Sequence, residues 1–314
     1  MSPRARGLSA IAISALCFAV MSVLAKLATD GAKAAAVPGA AALAARPLTA
    51  AEAVFYRSVL GWLGLLAAAR VLRSPPARES RRLLALRGIL GGLAISCYFY
   101  ALAHTSVSKA ALIGYAYPVF AVAFAWMFLG ERLGAAGGLL MAASLAGVVL
   151  MCRPDSANGL QVADAVALLG SVFSGGAIAT LRRLRRSEES TLTVVLHFTF
   201  WCTLVSLPLL VLARPRVPDL PHAALMAALA AVSALGQLFL TEGYRWCRTS
   251  EGSTLSLLNA VFTVAFGVIL LGDALTWTVW LGGGVTLAAC AGLVGRPAAR
   301  PAEEGPTPAA PSPH

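Results

Sequence analysis

The sequence predicts an all-α polytopic membrane protein, with ten transmembrane helices forming two inverted five-helix repeats around a central cavity. Three observations predict it: a composition too apolar for water, ten helix-length apolar runs, and a stretch of chain that occurs twice. Hydrophobic residues make up 58% of the 314 and charged residues only 12%, with a mean hydropathy of +0.77. One soluble core cannot hide that much apolar surface, so the lipid bilayer is the expected sink. A hydrocarbon core of about 30 Å takes roughly 20 residues of helix. Runs of this kind cover residues 7–28, 53–69, 88–104, 110–130, 134–152, 163–181, 192–212, 222–241, 252–271 and 276–295, here called spans 1 to 10.

The duplication is read from residues 105–133, TSVSKAALIGYAYPVFAVAFAWMFLGERL, against 247–275, CRTSEGSTLSLLNAVFTVAFGVILLGDAL. Laid over one another without gaps they match at nine positions, including the ordered run VF-x-VAF followed at fixed distance by LG. The acid after each LG is kept in kind, Glu131 against Asp273. Spans 3 and 4 therefore correspond to spans 8 and 9, so the repeating unit has five spans, residues 7–152 and 163–295. Five is odd, and the second unit must enter the bilayer from the opposite side, which is the geometry of alternating access.

Charge placement supports the same count. The net charge of +11 suggests nucleic acid until its positions are read. With the N-terminus inside, 17 of the 25 Lys and Arg residues fall in cytoplasmic segments and six outside, leaving Lys26 and Arg57 within or at the ends of spans. Both termini are then cytoplasmic, and the partner is a lipid bilayer rather than nucleic acid. An inner (plasma) membrane is the expected location.

In chain order, Arg4 and Arg6 ahead of span 1 resemble a secretory signal, but nine further spans favour an uncleaved first helix. Residues 31–48, Ala-rich and interrupted by Pro38 and Pro47, read as an external loop with one surface turn of helix. In span 2, Arg57 lies about one turn beyond Glu52, which it could satisfy locally or leave for a partner across the cavity; Lys26 in span 1 reads as snorkelling to the external interface. Span 3 offers Tyr98. Span 4 presents Ala110, Gly114, Tyr117, Ala121 and Ala125 on one face, with Pro118 placed to kink it mid-membrane. Span 9 presents the matching face, Gly252, Ser256, Asn259, Thr263 and Gly267. Small or polar faces of this kind point away from lipid, so Tyr117 and Asn259 become a symmetry-related pair near mid-depth. Span 8 adds Ser233 and Gln237, while Ser14, Ser22, Ser171 and Ser174 read more readily as bonding their own helices.

Candidate substrate-binding or cavity residues are thus Tyr117, Pro118, Asn259, Ser256, Thr263, Gln237 and Tyr98. Glu131, Asp273, Lys26 and Arg57 are candidates for gating or charge pairing. Asp273 reads more readily as a cap of the following helix, with Thr276 close behind, and Glu131 reads equally as a gate or as such a cap. The six cysteines have no C-x-x-C spacing and read as small apolar residues. No zinc-protease, nucleophile-elbow, Walker or dinucleotide motif occurs, so neither metal nor cofactor is expected. The tail, 296–314, is Pro- and Ala-rich and expected to be disordered.

The run YFYALAHTSVSKAAL, then YPVFAVAFAWMFLGERL, and the later echo ending LGDAL resemble the EamA-type transporters of the drug/metabolite transporter superfamily. The resemblance spans 7–295 and takes in Lys26 and Arg57. It implies ten helices in two five-helix repeats, a central cavity and movement of small metabolites, commonly outward. The expected activity is export of a small polar or amphipathic metabolite, with any energy coupling drawn from an ion gradient or from substrate exchange. The rival readings are a membrane enzyme using Glu131, His104 or His197 on a lipid-like substrate, and a membrane sensor or scaffold.

Overall fold

The computed structural model describes residues 2–38, 40–72, 81–129, 135–151, 161–186, 189–215, 217–246 and 255–294. Among these the regular elements are all α-helical. In chain order they are α1 (Pro3–Thr29), α2 (Gly31–Ala35), α3 (Ala41–Ala45), α4 (Ala50–Val71), α5 (Arg81–His104), α6 (Val107–Gly114), α7 (Tyr117–Leu129), α8 (Ala135–Met151), α9 (Val162–Arg186), α10 (Thr191–Leu212), α11 (Leu220–Trp246), α12 (Leu258–Leu271) and α13 (Trp277–Val294). Each apolar run of the sequence overlaps one of these helices, and span 4 overlaps two. Six of them (α1, α4, α5, α9, α10 and α11) are long and apolar enough to cross a membrane, and α8 and α12 are shorter apolar helices. The chain is an all-α polytopic membrane protein.

Local chemistry sets the helix ends. Ser2 accepts from the Ala5 N–H to start α1, and Thr49 with Glu52 forms a reciprocal capping box that starts α4. Glu52 Oε2 accepts from the Thr49 N–H and hydroxyl, both at 2.8 Å, so this carboxylate serves its own helix end rather than Arg57. Asp30 ends α1 and caps α2, accepting from the N–H groups of Ala32 and Lys33. Residues 31–48 therefore carry two short helices where one surface turn was expected. Gly272, with φ +61°, ends α12 in the left-handed region, and the Asp273 N–H turns back to the Gly267 carbonyl at 3.0 Å.

Span 4 is two helices. Residues 115–116 interrupt it, and Pro118 stands in the first turn of α7, where its missing N–H costs nothing. Proline thus starts a new helix instead of bending a continuous one. Span 9 is interrupted at the matching place: Leu257, the counterpart of Tyr115 at an offset of 142, precedes α12, and the Ala260 N–H reaches its carbonyl at 3.0 Å. No proline marks that second break.

The helix packing is paired. α1 lies against α11 as α9 lies against α5; α1 meets α12 as α9 meets α7; α4 meets α11 as α10 meets α5. α4 with α10, and α8 with α13, pair across the middle. The α8–α13 crossing is close enough that a Cβ on Gly147 would stand 2.6 Å from the Gly282 carbonyl oxygen.

Depth divides the packing unevenly. At the end where α1 begins, Arg6 stacks over Trp246 and the Thr191 hydroxyl donates to Glu242. At the far end, Lys109 pairs with Asp164 at 2.8 Å and Lys33 with Asp273 at 3.6 Å. The main buried cluster, including Met21, Phe99, Leu102, Ile113, Met151, Met226 and Leu271, draws only on the far halves of the helices. The near end has a small cluster of Leu84, Leu181, Leu184 and Val194.

Candidate functional site

A cavity of about 180 Å³ opens beside the two helix breaks. Its walls come from α1, α5, α9 and α11 with Phe198 of α10, and the α6–α7 junction and the residues just before and within α12 close one side. Unwound backbone at mid-depth is stable in a membrane protein where it is buried in protein or lines such a space. The break also turns side chains: Tyr115 and Tyr117, two residues apart, both line the cavity with rings edge to face at 5.6 Å.

Five of the seven residues expected to form a binding face line this cavity: Tyr98, Tyr117, Gln237, Ser256 and Asn259. Thr263 does not. It is fully buried and donates its hydroxyl to Asn259 Oδ1 at 2.9 Å, one turn away, which orients the amide. Pro118 is buried in the first turn of α7 and is not part of the lining either. The Tyr98 hydroxyl meets the Ser22 hydroxyl at 2.8 Å, and Ser22 donates to the Phe18 carbonyl, so a chain of polar groups ties α5 to α1 at the cavity wall.

The four charge-pair candidates fall elsewhere. Glu131 lies outside the described residues. Asp273 is buried, and its Oδ2 accepts from both the N–H and the hydroxyl of Ser108, each at 3.0 Å. Its partner is therefore the start of α6 in the first half of the chain, not the start of α13 that follows it. Lys33 donates to the Leu271 carbonyl and pairs with Asp273 on the same helix end. Lys26 is buried rather than snorkelling: its ammonium donates to the carbonyls of Leu102 and Thr105, both at 2.9 Å, and pairs with Asp30. It caps the end of α5. Arg57 hydrogen-bonds Ser233 on α11 and lies against Phe99 and behind the cavity-lining Met21, without itself lining the cavity. His104 and His197 each bond the carbonyl one turn back in their own helices and do not line the cavity. Among the described residues no group of His, Cys, Asp and Glu is placed to hold a metal ion.

Sequence reasoning missed Arg87. Counted there with the cytoplasmic charges before span 3, it is instead 5% exposed and lines the cavity, with its guanidinium over the Phe198 ring at 4.5 Å. The available signal was Gly91, four residues on, which leaves room for the arginine to fold back along α5; a Cβ there would stand 2.7 Å from its terminal nitrogen.

A family model for EamA-like transporters matches residues 5–153 and again 161–295. The chain belongs to the EamA-like transporter family. Among proteins of this kind, it is 30% identical to a pseudopaline exporter of Pseudomonas aeruginosa, over 80% of this chain and 88% of that one. It is 27% identical to an uncharacterised transporter of Helicobacter pylori, over 92% and 93%, and 25% identical to a riboflavin transporter of Rhizobium johnstonii, over 65% and 67%. A protein crystal structure superposes with a TM-score of 0.55 at 20% identity, covering 89% of this chain and 95% of that one, a likeness of fold. EamA-like membership makes this a multi-pass transporter homologue, with a bilayer around it and small molecules as the class of substrate.

Proposed function

We propose that this EamA-like protein is a secondary transporter that exports a small polar or amphipathic metabolite by alternating access. Its ten spans form two inverted five-helix units, 7–152 and 163–295, with both termini in the cytoplasm. The observation that carries the reading is the cavity itself: it lies between the two halves, beside interrupted helices from each, and presents Tyr117 from one and Asn259 from the other. Substrate held there touches both halves, and a rocking motion of one against the other would turn the same site to the opposite face. The far-end packing fits one limit of that motion, with a broad apolar cluster and the Lys33–Asp273 and Lys109–Asp164 pairs joining the halves beyond the cavity. Asp273 then acts as a gate residue, its bonds to Ser108 and Lys33 broken and remade in each cycle. Export rather than uptake is favoured by the Pseudomonas relative, which is named an exporter.

The test is flux through the purified full-length chain in proteoliposomes. Asn259→Leu and Tyr117→Ala should each lower flux at least tenfold, about 1.4 kcal/mol in transition-state terms, while leaving the detergent-solubilised protein monodisperse. Unchanged flux in both would remove this site. Product formation in detergent, with no compartments to separate, would replace the transporter with an enzyme.

A further inference from the structure

Among the described residues that line the cavity Arg87 is the one charged side chain, and no acid stands with it there. Its Nε is buried without a hydrogen-bond partner, and among the described residues it forms no ion pair. A guanidinium stays protonated at any physiological pH and cannot shed its charge to escape burial. The face of Phe198 offsets only part of the cost of removing it from water. Arg57, the other deeply buried arginine, differs in being tied to Ser233 and in not lining the cavity. Nor does the fold require Arg87: at the same offset of 142, the other half has Leu229, fully buried in α11. A cation present in one half only, with no ion pair and no acid beside it among the described residues that line the cavity, is a group awaiting an anion.

We propose that the substrate is an organic oxyanion, and that Arg87 binds its carboxylate or phosphate in the part of the cavity nearer the end where α1 begins. The planar fork of the guanidinium matches two oxygens of either group. The uncharged remainder would lie toward mid-depth, against Tyr98, Tyr115, Tyr117 and Asn259, where ring faces and one oriented amide suit an amphipathic body. Arg87 is then the specificity determinant for charge, and the aromatic wall for shape. This rests on the transporter reading and names the substrate class for it.

The experiment loads proteoliposomes of the full-length chain with a soluble metabolite extract of bacterial cells and identifies by mass spectrometry what leaves them, against protein-free liposomes. Compounds released by the wild type should be anions at neutral pH, with the mass defect of phosphorus separating phosphates from carboxylates. Their release should fall at least tenfold in Arg87→Gln and be partly restored in Arg87→Lys, with all three proteins eluting alike on size exclusion. Release of neutral or cationic compounds would overturn the inference and leave transport standing, as would equal release of anions by Arg87→Gln. No release above the protein-free control would fell the transport reading, and this inference with it. As a measure independent of flux, released anions added to detergent-solubilised protein should raise the melting temperature of the wild type and not that of Arg87→Gln. An equal shift in both would count against Arg87.

Discussion

Single residues in this protein show that a charge in a membrane is explained by the company it keeps. Lys26, Asp30, Lys33 and Asp273 all meet helix ends. Lys26 and Lys33 donate to the last carbonyls of α5 and α12, where the backbone leaves acceptors unpaired and the helix dipole favours cations. Asp30 and Asp273 accept N–H groups at the starts of α2 and α6. Asp273 differs from a local cap because it serves a helix 165 residues away in sequence, so the same bonds that finish α6 hold the two halves together. Replacing it with Ala leaves the buried Ser108 N–H and hydroxyl without that acceptor, at a cost of about 1–3 kcal/mol. Replacing it with Asn keeps an acceptor for Ser108 and removes the charge facing Lys33. Asp273→Ala should therefore lower the melting temperature in detergent by several degrees and Asp273→Asn by less. Equal melting of all three would mean that Asp273 ties nothing down.

At the scale of elements, helices were legible wherever hydrophobic run length decided them, and their interruptions were not. The ten apolar runs each fall on helix because a buried backbone in a bilayer has few ways to satisfy its own N–H and C=O groups. Pro118 pointed to the neighbourhood of the first break but not to its form: the sequence suggested a bent helix, while the structure starts a new one with proline in its first turn. The second break has no breaker residue: Leu257 there is buried in one cluster with Val119 of α7 and Cys290 of α13, contacts that no local pattern announces. The site followed the same division. Tyr117, Gln237, Ser256 and Asn259 were readable from helical spacing and Tyr98 as a polar ring in an apolar span, whereas Arg87 was hidden by its place soon after Arg81 and Arg82 at the start of α5. Glycine at the α8–α13 crossing shows how packing too can be read only with both helices in hand. A side chain at Gly147 meets the Gly282 carbonyl, and one at Gly282 meets the Gly147 carbonyl at 2.5 Å, so neither has room. Membrane helices gain much of their association from such close approach. Gly147→Leu and Gly282→Leu should each reduce the yield of folded protein and its melting temperature. Gly284→Leu, where a Cβ would meet nothing within 4 Å, should be tolerated. If Gly284→Leu proved as damaging as the other two, added bulk anywhere on this helix and not the crossing itself would be the cause, since leucine is the better helix former.

The whole molecule joins two facts that pull in different directions. Its helix pairs match across the two halves, as a duplicated chain requires, yet its main core sits at only one end. Equivalent halves packed equally would have equivalent cores at both ends and no preferred opening. In the proposed alternating-access cycle, concentrating the apolar contacts and the cross-half ion pairs beyond the cavity would stabilise one of two near-equivalent arrangements, and a modest free-energy gap would suffice, since each factor of ten in population is about 1.4 kcal/mol. This account depends on which end faces which compartment, and that is open to direct measurement. In a background with its native cysteines replaced, Leu72→Cys and Ser190→Cys mark the end where α1 begins, and Val217→Cys, 93% exposed in the parent chain, marks the other. A membrane-impermeant maleimide applied to intact cells should label Val217→Cys and spare the other two until the membrane is opened. Labelling that places Leu72→Cys and Ser190→Cys on opposite faces would make the number of crossings between them odd and the repeating unit, one crossing longer, even. The two halves would then be parallel copies, and a parallel pair cannot exchange an inward opening for an outward one by symmetry.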